Sequence, residues 1–208
     1  MDICAFLGFV TKKIILKDVY LKRFSLDEKA LLELLDGKTV AIVGNARRLG
    51  KQTYGADIEA HQIVVRLNDA PMVSYASHGS KTDWLAVAKK TPSKVLLERQ
   101  PSVLLWMPTK RKRLNWTMIS FSGFFLNDVR RNHRLRQELN APPSVGCMTI
   151  DLIKRSNASK ISLYGFDFFQ SKSLSGTRTR EQVPHDFHAE SCLVRSLLAN
   201  DQRFRLYE

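Results

Sequence analysis

The chain has 208 residues, of which 44% are apolar and 25% charged, enough for one domain to bury a core without disulfide or metal staples. Thirty-three Lys and Arg against twenty Asp and Glu leave a formal charge of +13, so anionic partners are expected: phosphates, nucleotides, nucleic acid or acidic lipid headgroups. Cys4, Cys147 and Cys192 lie far apart with no CxxC pairing, which argues against structural zinc and a disulfide framework and for a reducing compartment.

The N-terminal apolar run "ICAFLGFV" is eight residues long and follows Asp2. It is too short to cross a bilayer and a poor match to a signal peptide. "SLDEKALLELLDG" predicts an amphipathic helix, with Ser25 and Glu28 at capping-box spacing and Gly37 where it would end. It leads into "TVAIV", apolar throughout as a central parallel strand should be.

The turn that follows, "GNARRLGKQTYG", resembles a phosphate loop only superficially. Five residues separate Gly44 from Gly50, and Gln52 follows Lys51, whereas a P-loop has four residues between its glycines and a hydroxyl residue after the lysine. The dinucleotide fingerprint fails too, because Ala46 stands where the second glycine should be.

A short helix and the strand "QIVVRL" come next, closed by "NDAP". "DWLAVA", "SVLLWM" and "WTMISF" are read as further strands. "SVGCMTIDLIKRS" predicts a helix opening at Ser144, "KISLYGF" a strand, "DFHAESCLVRSLLAND" a last helix and "RFRLY" a last strand. This alternation gives one three-layer α/β domain with a mostly parallel sheet, residues 1–37 forming a helical lead-in to an α/β core over 38–208. In such sheets ligands bind beyond the strand carboxyl ends, near helix N-termini. "GNARRLG", "RLNDAP" and "PPSVG" supply polar groups there.

Taken together, these segments resemble glycosyltransferase family 29, the sialyltransferases. "VAIVGNARRLGKQTYGADIEAHQIVVRLNDAPMVSYASHGSKTDWL" is similar to the large sialylmotif, "PSVGCMTIDLIKRSNASKISLYGFDF" to the small one, and "HDFHAE" to the very small one, in family order. The resemblance implies a Rossmann-like, GT-A-like sialyltransferase variant, bacterial-like and divergent. It implies inverting, metal-independent transfer of sialic acid, or a related 2-keto acid such as Kdo, from a CMP-sugar to a hydroxyl on a glycan or glycolipid, with no cofactor. Carried over by position, Asn45 and Asn68 would contact the nucleotide, Ser144, Val145 and Gly146 would present hydroxyl and backbone groups to CMP, and His185 would be the general base.

Two departures stand out. Neither motif has a cysteine where secretory members pair them, in keeping with a cytoplasmic enzyme. The family's third motif is missing, since no histidine lies between His133 and His185; Arg178 or Arg180 is the candidate substitute for its phosphate contact.

Each residue also has a plainer reading. Asn45 and Asn68 could fix turns, Ser144 could be an N-cap and His185 a solvated loop histidine. Tyr54 and His61 are read as packing or turn residues, and Gly165 and Phe166 as closing a strand. His185, His188 and Glu190 are not read as a metal site, because on a helix Glu190 lies about 140° from His185 at about 100° per residue; Glu190 is expected to brace the motif.

The runs "TKRKRLNW" and "RRNHRLRQ" fit a solvated face or an anionic membrane surface at the inner leaflet; with Trp116 isolated among them, nucleic acid is not an expected partner. The alternative from another class is a non-catalytic basic nucleotide- or RNA-binding domain on the same fold.

Overall fold

In the computed structural model, the residues described are 17–69, 71–168, 174 and 182–207. "ICAFLGFV", Cys4, Ala70, Arg178 and Arg180 lie outside them. Among the described residues seven strands form one sheet in the order β5-β4-β3-β2-β1-β6-β7, and all six pairings are parallel. They are β1 (Thr39–Val43), β2 (Ile63–Leu67), β3 (Trp84–Val87), β4 (Val103–Trp106), β5 (Phe124–Leu126), β6 (Lys160–Tyr164) and β7 (Phe204–Tyr207).

The helices are α1 (Lys17–Lys22), α2 (Glu28–Glu33), α3 (Gly55–Glu59), α4 (Tyr75–His78), α5 (Ser93–Arg99), α6 (Trp116–Ile119), α7 (Val129–Leu139), α8 (Val145–Ile153) and α9 (Phe187–Asn200). Strand alternation divides the core between two faces. Val40, Ile42, Val65, Leu67, Trp84 and Ala86 pack on one side with α8 residues such as Ile150 and Leu152. Ala41, Val43, Val64 and Tyr164 pack on the other, as do Leu85, Val87, Leu104 and Trp106 further along. Because both faces are covered, the α/β architecture is three-layered and Rossmann-like.

The chain moves outward from β1 to β5, then returns to lay β6 on the other side of β1. That reversal creates a topological switch point between β1 and β6, where the loops leaving the two strands part and a crevice opens. Gly44 and Gly165 meet there. A Cβ on Gly44 would lie 2.3 Å from the Gly165 carbonyl oxygen, and Gly165 itself has φ +68°.

Two sequence expectations change. "WTMISF" contains α6 rather than a strand: the Asn115 side chain accepts the Met118 N–H at 3.0 Å, and Met118 and Ile119 turn inward beneath Trp106 and Leu104. The strand instead comes after it as "FFL", where Gly123 permits close approach to β4, since a Cβ there would lie 1.9 Å from the Ser102 carbonyl oxygen.

The cap of α2 is not Ser25 but Asp27, whose Oδ2 accepts from Lys29 N at 2.9 Å and Ala30 N at 3.2 Å. Ser25 serves the sheet edge, its Oγ accepting the Leu126 N–H at 2.9 Å. Glu28 is drawn to Arg155 at 2.7 Å and Arg131 at 3.2 Å. Asp27→Ala is expected to cost about 1 kcal/mol, measured as a fall in denaturant midpoint with unchanged m-value.

Candidate functional site

The loops after β1, β2 and β6 and the mouth of α8 lie at one end of the sheet, and direct contacts join them. Asn45 donates from Nδ2 to the Leu67 carbonyl at 3.1 Å, tying the β1 loop to the end of β2. Its own carbonyl accepts the Leu174 N–H at 2.7 Å. Asn68 has φ +54°, a left-handed conformation that Asn tolerates better than most residues. Its Oδ1 accepts the Ala88 N–H at 3.2 Å, so Nδ2 is the part of this amide without a partner among the described residues.

Phe166 wedges these loops to α8. A Cβ on Gly146 would lie 2.7 Å from the Phe166 ring and 3.4 Å from the Leu67 side chain, and one on Gly44 would lie 3.3 Å from the same ring. Gly146 is therefore a glycine because the aromatic ring occupies the space of its Cβ, whereas Gly44 is held to glycine by the Gly165 backbone with the same ring close behind. Phe166 does more than close its strand: it sets the spacing between the first crossover and the helix mouth. A glycine opening each segment and an aromatic two residues after β6 were the signals for it in the sequence.

Ser144 caps α8, its Oγ accepting the Cys147 N–H at 3.2 Å. Its own N–H and hydroxyl donate to the two oxygens of Glu190, at 2.6 and 2.7 Å. With its hydrogen given to Glu190, the Ser144 hydroxyl has no donor left for an anion. Val145 and Gly146 are different. Their backbone N–H groups have no partner among the described residues, and they lie in the first turn of a nine-residue helix, where the dipole and orphan amides favour negative charge.

Glu190 is 4% exposed, and burial pushes its carboxyl up to about 7 despite the two Ser144 hydrogen bonds. The bracing role read from sequence is the geometry observed.

His185 sits just before Asp186, the N-cap of α9, and is half-buried. Its Nδ1 lies 2.7 Å from the Pro142 carbonyl. A carbonyl can only accept, so Nδ1 carries the hydrogen and Nε2 the lone pair. Burial lowers the imidazole below its ordinary value of 6.5, partly offset by this hydrogen bond. The ring is thus a neutral base of fixed tautomer, anchored two residues before the α8 cap. The Pro142 carbonyl had no signal in the sequence, because any residue carries one.

All six sequence candidates, Asn45, Asn68, Ser144, Val145, Gly146 and His185, therefore belong to one connected end of the sheet. His188 points elsewhere, its Nε2 3.8 Å from Cys192 Sγ, and among the described residues no three His, Cys, Asp or Glu side chains converge as metal ligands. His61 is a packing residue, held between the Asp57 carbonyl and Ser162 Oγ at 2.8 Å each. Tyr54 packs against Tyr164 and Tyr207.

Residues 8–101 match the model of glycosyltransferase family 29 (sialyltransferase). Over that stretch, 94 of the 208 residues, the chain is similar to the sialyltransferases of this family. The chicken protein CMP-N-acetylneuraminate-beta-galactosamide-alpha-2,3-sialyltransferase 1 is 33% identical over 103 residues, 47% of this chain and 29% of the relative, so the chain spans less than a third of that protein.

A mammalian sialyltransferase in complex with Gal-beta-1-3GalNAc-ortho-nitrophenol superposes with a TM-score of 0.63 at 20% identity, covering 90% of this chain and 76% of that one. The Campylobacter jejuni sialyltransferase CstII in complex with cytidine-5'-monophosphate gives 0.57 at 16% identity, covering 83% and 79%. These likenesses establish the shared fold, including the part of the chain that lies beyond the family-model match.

Glu190 holds more protons in the folded than in the unfolded chain between its ordinary value of 4.5 and about 7. Across that window stability falls as pH rises. Glu190→Gln, which cannot ionise, is expected to lack this component, so the melting-temperature advantage of the wild type over the variant is larger at pH 5 than at pH 8. Thermal melts at the two pH values measure it.

Proposed function

We propose that this chain catalyses inverting transfer of sialic acid, or a related 2-keto sugar acid such as Kdo, from its CMP conjugate to a hydroxyl on a glycan or glycolipid. The observation that carries the reading is the pairing of Val145 and Gly146 N–H groups at the α8 mouth, without partners among the described residues, with a neutral His185 hydrogen-bonded to Pro142. The family-model match over residues 8–101 and the CMP complex of the Campylobacter fold relative support it.

In this mechanism the acceptor oxygen attacks the anomeric carbon while His185 Nε2 takes its proton. The bond from that carbon to the phosphate oxygen breaks, and CMP leaves with the electron pair. The developing phosphate charge is met by the α8 amides, which are already oriented and need no reorganisation. The Asn68 Nδ2 contributes to holding the nucleotide, and Asn45 shapes the loop beside it by tying that loop to the end of β2. No Asp-x-Asp occurs in the chain, and the reaction is proposed to need neither metal nor cofactor.

The cysteine pattern supports a reducing, cytoplasmic setting: Cys147 is buried and Cys192 exposed, both as free thiols. No helix among the described residues is long and apolar enough to cross a membrane.

A thermal-shift panel of CMP, CDP, UDP, ADP and NAD tests the donor class, with CMP expected to stabilise most. Single-stranded RNA binding with a steep salt slope and no CMP stabilisation would instead favour a non-catalytic binding domain. His185→Ala is expected to lower turnover by about 10²- to 10⁴-fold while the CMP-induced shift is retained. The wild-type kcat/KM should fall on the acid side with a midpoint below 6.5, as the lowered imidazole value requires. Asn68→Gly, which keeps the left-handed backbone and removes only the amide, is expected to weaken CMP binding by about five- to tenfold, as loss of one hydrogen bond of about 1 kcal/mol would, read by titration calorimetry.

A further inference from the structure

Because every strand is parallel, the loops after β2, β3, β4 and β5 share one rim with the candidate site. Three consecutive loops on that rim are basic: Lys89 and Lys90 follow β3, Lys110 to Arg113 follow β4, and Arg130 and Arg131 follow β5. The end of α1, with Lys22 and Arg23, joins the same face through Lys22–Asp128 at 3.9 Å and Arg111–Asp18 at 2.9 Å.

The nearby acids are already engaged. Asp69 pairs with Lys89, Asp18 with Arg111, Asp128 with Lys22, and Glu28 with Arg131. Arg23, Lys90, Lys110, Arg113 and Arg130 are left exposed, with no carboxylate within ion-pair distance among the described residues.

Between this basic stretch and the cleft lies the loop after β2, where Val73 is 57% and Tyr75 64% exposed. Cations beside an exposed aliphatic and a tyrosine make the composition of a membrane-interface surface. Nucleic acid fits less well, because the aromatics nearest the cations face inward. Trp116 packs edge-on against Phe24 at 5.8 Å, and Trp106 and Phe124 are fully buried. From β2 to β5 the rim spans three strand spacings, about 14 Å at about 4.8 Å each, so a surface resting on the basic loops would stand beside the mouth of the site.

We propose that this rim docks on an anionic lipid surface through Arg23, Lys90, Lys110, Arg113 and Arg130, with Val73 and Tyr75 entering the headgroup layer, so that the cleft faces a membrane-borne acceptor. The lipid contact stands on charge and exposure; only its consequence for the acceptor rests on the transferase reading.

The test is co-sedimentation of the chain with phosphatidylcholine vesicles, with and without phosphatidylserine. Binding is expected only with phosphatidylserine and is expected to fall with salt. Lys110→Glu/Arg113→Glu should weaken it by more than tenfold, each cation near the surface contributing about fivefold. Arg195→Glu/Arg205→Glu, which changes the same charge at exposed positions on α9 and β7, should leave it unchanged.

Lys90→Glu/Arg130→Glu serves as a second rim pair should the first fail to melt cooperatively. Equal binding to neutral vesicles, equal loss in the rim and control pairs, or tighter binding to single-stranded RNA at the same ionic strength would overturn the proposal. The CMP-induced thermal shift should be the same in the rim pair as in the wild type, which separates failure of this face from failure of the donor reading.

Discussion

The arrangement depends on how closely the chain approaches itself at the carboxyl ends of β1 and β6. Gly44 donates its N–H to the Tyr164 carbonyl at 2.7 Å, and Ala46 donates to the Gly165 carbonyl at 3.2 Å. A side chain on Gly44 would collide with Gly165 backbone. That contact extends the β1–β6 pairing one step past the strands and then forces the loops apart. One loop carries Asn45 toward β2, and the other sends Phe166 over the mouth of α8. The crevice is a consequence of a parallel sheet whose strand order reverses at a pair of glycines.

Around that crevice, polar groups are divided between building the site and serving it. Asn45 Nδ2, Asn68 Oδ1, both donors of Ser144 and the His185 Nδ1–H are all committed to protein partners. Among the described residues, Val145 N–H, Gly146 N–H, Asn68 Nδ2 and His185 Nε2 are the groups left over. The candidate residues are thus mostly scaffold at one atom and open at another, and the plain readings of Asn as a turn residue and Ser as a cap describe the scaffold half. Glu190 is the costly part of the design: a buried carboxyl held near neutrality so that the helix mouth keeps its position.

The same parallel topology gives the molecule a polarity. Every crossover returns to the amino end of the sheet, so all loops leaving the strands collect on one rim. The basic runs that look scattered in sequence, "AKKTP", "PTKRKRL" and "NDVRR", become neighbours because β3, β4 and β5 are adjacent. Charge and cleft thereby come to share a side of the molecule.

By itself the sequence determined the central strands, α8, α9 and a motif order that resembles the sialyltransferases, because these rest on local signals: unbroken apolar runs, a Ser after two prolines, glycines at tight turns. It misjudged "WTMISF", since a short apolar run has no clear period and the Asn115 cap decides it, and it misplaced the α2 cap because β5 recruits Ser25. Only the tertiary structure decided which atom of each polar residue is spoken for, that the Pro142 carbonyl orients His185, and that Phe166 spaces Gly44 from Gly146. Those outcomes join residues from about 20 to more than 100 positions apart, and which partner is reached is a property of strand order, not of any local pattern.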